Sequence, residues 1–244
     1  MKHNLFLLSS SAVFGMRPLE HALDALKNFL GEERTIYFVP YALANHDDYT
    51  DQTRRMLASL DITLQGLHLE AHPRQVVTEA RVLYVGGGNS FRLLKMLQQQ
   101  DLLAIVRERV ASGELRYIGS SAGTNMACPS LRTTNDMPIV QPSSFEAFGL
   151  IPFQINPHYL DPDPNSTHRG ETRAERIEQF LEENNVPVLG MREGSWLQQR
   201  GSELRLEGIA GARLFTRHAE PQEIAPGTDL SWLLAVPAHF DQRI

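Results

Sequence analysis

Short, largely apolar runs alternate along this chain with stretches whose leucines fall at helical spacing. The runs are "NLFLL" (4–8), "TIYFVPYA" (35–42), "ITLQGLHL" (62–69), "RVLYVGGG" (81–88) and "LRYIGS" (115–120). Between them lie "PLEHALDALKNFL" (18–30), with Leu19, Leu23, Leu26 and Leu30 on one face, "DDYTDQTRRMLASL" (47–60) and "NSFRLLKMLQQQ" (89–100). Strands that are apolar on both sides must be covered on both sides, which demands a parallel sheet between two helical layers. After residue 120 the pattern loosens through a proline-rich stretch. It then resumes with "PFQIN" (152–156), a helix over 171–184 and "VPVLGM" (186–191). Beyond Trp196, "LQQRGSELRLEGIAGARLFTR" (197–217) has the texture of antiparallel strands joined by tight turns. No repeat or low-complexity linker interrupts the chain. The expectation is one catalytic domain over 1–244: a three-layer α/β/α sandwich with a mostly parallel sheet and C-terminal antiparallel strands.

Composition narrows the class. With 244 residues, 42% of them hydrophobic, the chain can bury one substantial core. A net charge of −6, with no cluster of Lys and Arg, argues against a nucleic-acid partner. The single cysteine, Cys128, allows no internal disulfide and suits a reducing compartment. The apolar run 5–8 after Lys2 is too short for a secretory signal, and no run is long enough to span a membrane. The expected location is the cytoplasm, with no membrane partner.

In open α/β sheets ligands sit beyond the carboxyl ends of the strands. There "YIGSSAGTN" (117–125) passes from strand to helix through Gly119-Ser120-Ser121-Ala122-Gly123. G-x-S-x-G places its serine on a sharp turn with the hydroxyl exposed, and small neighbours give the turn room. A helix cap between glycines is the competing reading, and the pentapeptide alone leaves the two about even. Gly86-Gly87-Gly88-Asn89 also joins a strand to a helix. It is no dinucleotide fingerprint, since Phe91 stands where the third glycine belongs, and no Lys-Ser/Thr makes it a phosphate loop. The Gly88 amide and the amide of Ala122, after the serine, would form a two-donor oxyanion hole.

A serine hydroxyl needs an imidazole to take its proton. Of nine histidines, His158 in "FQINPHYL" lies just past a strand end, in the layer expected for Ser121. Two acids compete to orient it. Glu193 in "REGSW" follows a strand end, and Asp136 in "LRTTNDMPIV" lies in an irregular segment that could fold over the site. Spacing leaves that choice open. No pair at zinc spacing accompanies His46 or any other histidine, so neither metal nor cofactor is expected.

Taken together, "GGGNSFRLLK", "YIGSSAGTNMACPSLRTTNDMPIV", "QINPHY", "HRGETRAERI" and "REGSW" resemble the peptidase E family of bacterial cytosolic α-aspartyl dipeptidases. The resemblance runs from the first strand to about Trp196. It implies a class I glutamine amidotransferase-like fold, a metal-free serine peptidase, Ser121 as nucleophile and His158 as its base. Asp136 and Glu193 both match acids put forward as the third member. Ser120 departs from the family, where a larger residue is usual. Small peptides with an N-terminal aspartate are the implied substrates, for a monomer or homodimer. Arg173 is the candidate for the aspartate carboxylate, because a guanidinium fork suits a carboxylate and a cation is unexpected in a helix's first turn. A surface pair with Glu171 or Glu175 is the plain alternative. Asn89 and Asp136 are candidates for the substrate amine. Competing functions are a cyanophycinase-like peptidase, an α/β-hydrolase esterase using His239, and a non-catalytic binding protein.

Overall fold

The computed structural model describes residues 3–165, 167 and 169–242, so Lys2 and His168 lie outside it. Its main sheet runs β3-β2-β4-β5-β1-β8-β9. The parallel strands are β1 (Asn4–Leu8), β2 (Thr35–Val39), β3 (Thr63–Gly66), β4 (Val82–Val85) and β5 (Arg116–Ser120). β8 (Ser195–Arg200) joins β1 antiparallel, and β9 (Glu203–Gly208) closes that edge. Alternate residues of β1 feed opposite cores. Leu5 and Leu7 pack among α3 (Pro73–Glu79), α4 (Ser90–Gln99) and α5 (Leu103–Ser112), while Phe6 and Leu8 pack against α1 (Leu23–Leu30). That double burial is the physical reason for the uninterrupted apolar runs.

The remaining strands form a second sheet, β11-β10-β7-β6, rather than an extension of the first. β6 (Gln154–Asn156) and β7 (Val188–Met191) are parallel; β10 (Ala212–Phe215) and β11 (Gln222–Ile224) add antiparallel strands. The C-terminal strands therefore divide between two sheets. His158, expected in the same layer as Ser121, leaves the second sheet, whereas Ser121 leaves the first.

Local differences have local causes. The strand over 62–69 stops at Gly66, where a Cβ would lie 2.4 Å from the His68 ring, and residues 67–69 make a 3₁₀ turn. β2 ends at Val39 because Pro40 has no N–H for the ladder. The first helix begins only at Leu23, after a 3₁₀ turn that follows Leu19 in the left-handed region. α3 and α5 have no counterpart in the sequence reading. α3 spans only 7 residues and α5 buries only Val106 and Val110, so neither has a strong apolar stripe.

The register sets the functional end of the molecule. Leu8 at the end of β1 pairs with Ser120 on one side and Trp196 on the other. The exit of β5 and the entry to β8 are therefore neighbours across β1. Among the described residues no helix is long and apolar enough to cross a membrane.

Candidate active site

Ser121 stands between β5 and α6 (Ala122–Ala127) with φ 53° and ψ −108°, a strained backbone that lifts its side chain out of the turn. The flanking glycines are sterically required. A Cβ on Gly123 would lie 2.0 Å from Val85 O, and one on Gly119 would lie 2.7 Å from Gly123 O. Ser121 N–H donates to Leu8 O at 3.1 Å and Thr124 Oγ–H to the same carbonyl at 2.6 Å, tying the turn to β1.

His158, also at a positive φ of 53°, brings Nε2 to 2.9 Å from Ser121 Oγ. Its Nδ1 lies 2.7 Å from Glu193 Oε1. Glu193 sits in the turn that leaves β7 and enters β8, so the chain carries this carboxylate from one sheet to the other beside the end of β1. The three side chains are partly exposed to half-exposed, as a site open to a peptide requires.

Asp136 is elsewhere. Its Oδ2 accepts from Ser90 N–H at 2.7 Å and Ser90 Oγ–H at 2.5 Å, capping α4, and no hydrogen bond or ion pair joins it to His158. Of the two acids, it is Glu193 that lies within hydrogen-bond distance of His158. Asn89 has both ends of its amide engaged: Oδ1 accepts from Arg92 N–H at 3.1 Å and Nδ2 donates to Met137 O at 2.9 Å. That makes Asn89 the N-cap of α4.

These clamps hold the glycine turn. Gly86 N–H donates to Val39 O at 3.2 Å and Asn89 N–H to Ala42 O at 3.0 Å. The Tyr49 hydroxyl faces the Gly87 amide, and burial pushes its pKa up to about 12, with that amide pulling the other way. A Cβ on Gly87 would lie 3.7 Å from Ser121 Oγ, so the turn abuts the serine. Among the described residues, the Gly88 and Ala122 amides have no acceptor.

Arg173 opens α7 (Arg173–Glu183), whose N-terminus is fixed by a Thr172–Glu175 capping box. Neither expected acid pairs with it: Glu171 bonds Arg176 at 3.5 Å and Glu175 bonds the Thr172 amide at 2.6 Å. Burial lowers its pKa, as does nearby Arg176, with Asp136 opposing. It is a partly buried guanidinium with no ion pair among the described residues. His239 pairs through its backbone with Asn185, and its ring makes no bond to Ser121. Among the described residues no three His, Cys, Asp or Glu side chains cluster to hold a metal ion.

The model of "Peptidase family S51" matches residues 5–207. The chain belongs to peptidase family S51. It is 57% identical over 238 residues to "Peptidase E" of Streptomyces coelicolor, covering 98% of each chain. It is 47% identical over 233 residues to a "Probable alpha-aspartyl dipeptidase" of Drosophila melanogaster, covering 95% of this chain and 97% of the relative. A solved structure of a putative peptidase E protein from Listeria monocytogenes shares the S51 fold. Its TM-score is 0.65 at 23% identity, over 85% of this chain and 99% of the other. As an S51 member the protein is a serine peptidase acting on peptides.

One residue at the centre of the site had no sequence signal. Ser9, in "LLSSSA", is fully buried between the two sheets, and only a hydroxyl residue ending an apolar strand could have marked it.

Proposed function

We propose that the protein is an α-aspartyl dipeptidase that cleaves Asp-X peptides through an aspartyl-enzyme on Ser121. The observation that carries this reading is the relay from Ser121 Oγ through His158 to Glu193, with steps of 2.9 and 2.7 Å. Ser121 Oγ attacks the carbonyl after the N-terminal aspartate while His158 Nε2 takes its proton. Glu193 accepts from Nδ1–H, fixes the tautomer and stabilises the imidazolium. The Gly88 and Ala122 amides hold the tetrahedral oxyanion, which is where unpartnered donors are of most use. His158 then protonates the leaving amine, and water reverses the roles to release aspartate.

Arg173 supplies the preference for aspartate. A partly buried fork without an ion pair is set to take a carboxylate in two parallel hydrogen bonds. The Drosophila relative's name supports the same substrate class. A cytoplasmic location agrees with a lone cysteine that is buried. A panel of Asp-X, Glu-X and Asn-X dipeptides, with fluorophosphonate labelling followed by peptide mass mapping, tests the reading. Preferred cleavage of Asp-X and a single adduct on Ser121 are expected. Equal rates across the panel, or an adduct on Ser120, would sink it.

A further inference from the structure

The three members of the relay come from three segments, and a single buried hydroxyl joins two of them. Ser9 Oγ accepts from His158 N–H at 2.9 Å and donates to Met191 O at 2.8 Å. The Ser9 amide donates to Ser195 O at 3.0 Å. Met191 and Ser195 bracket the turn that bears Glu193. Met191 O also accepts from Tyr159 N–H at 2.9 Å, so the two successive amides after Pro157 are both held at this point. One residue back, Leu8 O holds the Ser121 turn.

This arrangement fixes an uncommon backbone conformation. His158 has φ 53°, a left-handed backbone that few non-glycine residues adopt, though His tolerates it more often than most, so its placement depends on what fixes that backbone. A hydroxyl suits the position because it accepts from one segment and donates to the other at once. An apolar side chain would leave the His158 amide buried without an acceptor. We propose that Ser9 is a positioning residue for the reaction: its hydroxyl sets His158 and the Glu193 turn in register with Ser121. The inference rests on reading Ser121 as the nucleophile. Ser9 itself touches no reacting atom.

The test uses the full chain with Ser9→Ala, Ser9→Thr and Ser9→Cys, beside Ser121→Ala and Thr53→Val. Thr53→Val deletes another buried hydroxyl, bonded at 2.9 Å to Tyr49 O in α2 (His46–Met56), and gauges the loss of stability alone. All rates are taken well below each variant's Tm. Ser9→Ala should lower kcat by about 10- to 100-fold, the scale of a misplacement near 1 Å. KM should stay within about twofold, because the lost interaction acts on the transition state. Labelling of Ser121 by a fluorophosphonate should slow in parallel, and the downfield His158 Nδ1–H proton resonance should weaken. Ser9→Thr, which keeps the hydroxyl, should recover most of the rate, and Thr53→Val should lower Tm with kcat intact. If Ser9→Ala fails to fold, Ser9→Cys carries the same readouts with a weaker hydrogen-bonding group. Wild-type kcat in the folded Ala or Cys variant, with Ser121→Ala inactive, overturns the role of Ser9 and leaves the nucleophile standing. Turnover by Ser121→Ala overturns the nucleophile, and the positioning argument falls with it.

Discussion

Replacing Glu193 by Gln tests the relay at its outermost member with little change of shape. In the native site the carboxylate lies 2.7 Å from His158 Nδ1, with His158 38% and Glu193 50% exposed. If His158 takes the Ser121 proton, the imidazolium so formed is stabilised by that negative charge. Two unit charges about 4 Å apart interact by about 1 kcal/mol in water and about 4 kcal/mol at the effective dielectric of a protein surface. Half-exposure puts this pair between those limits, so losing the charge should cost roughly 5- to 1000-fold in kcat. A rotated glutamine amide would also donate to Nδ1 and fix the wrong tautomer, pushing the loss to the upper part of that range; a fully buried triad acid loses about 10⁴-fold. The assay is steady-state hydrolysis of an Asp-X peptide at pH 7.5, with Asp136→Asn in parallel. Glu193→Gln should lower kcat with little change in KM. A variant that keeps more than half the wild-type kcat would refute the assignment, since His158 would then be oriented by something other than Glu193.

Three further outcomes are expected. If Arg173 binds the aspartate carboxylate, Arg173→Met should bring the Asp-X to Asn-X ratio of kcat/KM towards one, a change of about 100-fold or more, because the partly buried guanidinium is left unpaired when the substrate charge is absent; an unchanged ratio would make Arg173 a bystander. Gly123→Ala drives a methyl to 2.0 Å from Val85 O. It should cost about 3 kcal/mol, lowering Tm by roughly 6–12 °C in a scanning calorimeter; a Tm within 2 °C of wild type would show that the turn yields more easily than its packing implies. Burial holds the imidazoles of His3 and His21 below their ordinary 6.5. The unfolded chain then binds more protons below that pH, so their stability contribution is present above pH 6.5 and is lost as pH falls. Tm should drop between pH 7.5 and 5.5, and less steeply in His21→Phe; an equal slope would remove His21 from the cause.

Much of this protein was legible in its sequence, and the reasons are local. Strands buried on both faces need continuous apolar residues, so "NLFLL" and "RVLYV" announced a covered parallel sheet before any packing was known. The Ser121 turn was legible for a similar reason. Where an added Cβ would meet neighbouring backbone at 2.0 to 2.7 Å only glycine fits, and Gly119 and Gly123 mark that constraint in the chain itself. His158 and Glu193 became candidates because each follows a strand end, with Asp136 an open rival to Glu193. Arg173 stood out as a cation at the wrong end of a helix dipole.

What the sequence could not settle was pairing between distant segments. Glu193 and Asp136 were equal candidates by spacing. Only the turn from the second sheet into β8 carries Glu193 to His158, while Asp136 spends its oxygen on Ser90, at the start of α4. The division into two sheets was invisible for the same reason, since β6 and β7 are apolar runs whichever sheet they join. Ser9 is the plainest case. Its partners lie 149 and 182 residues away, and a hydroxyl makes no pattern with its own neighbours in the chain. Periodicity records which face of an element is buried. The choice of long-range partner is a property of the folded backbone, where hydrogen-bond geometry between remote segments is first defined.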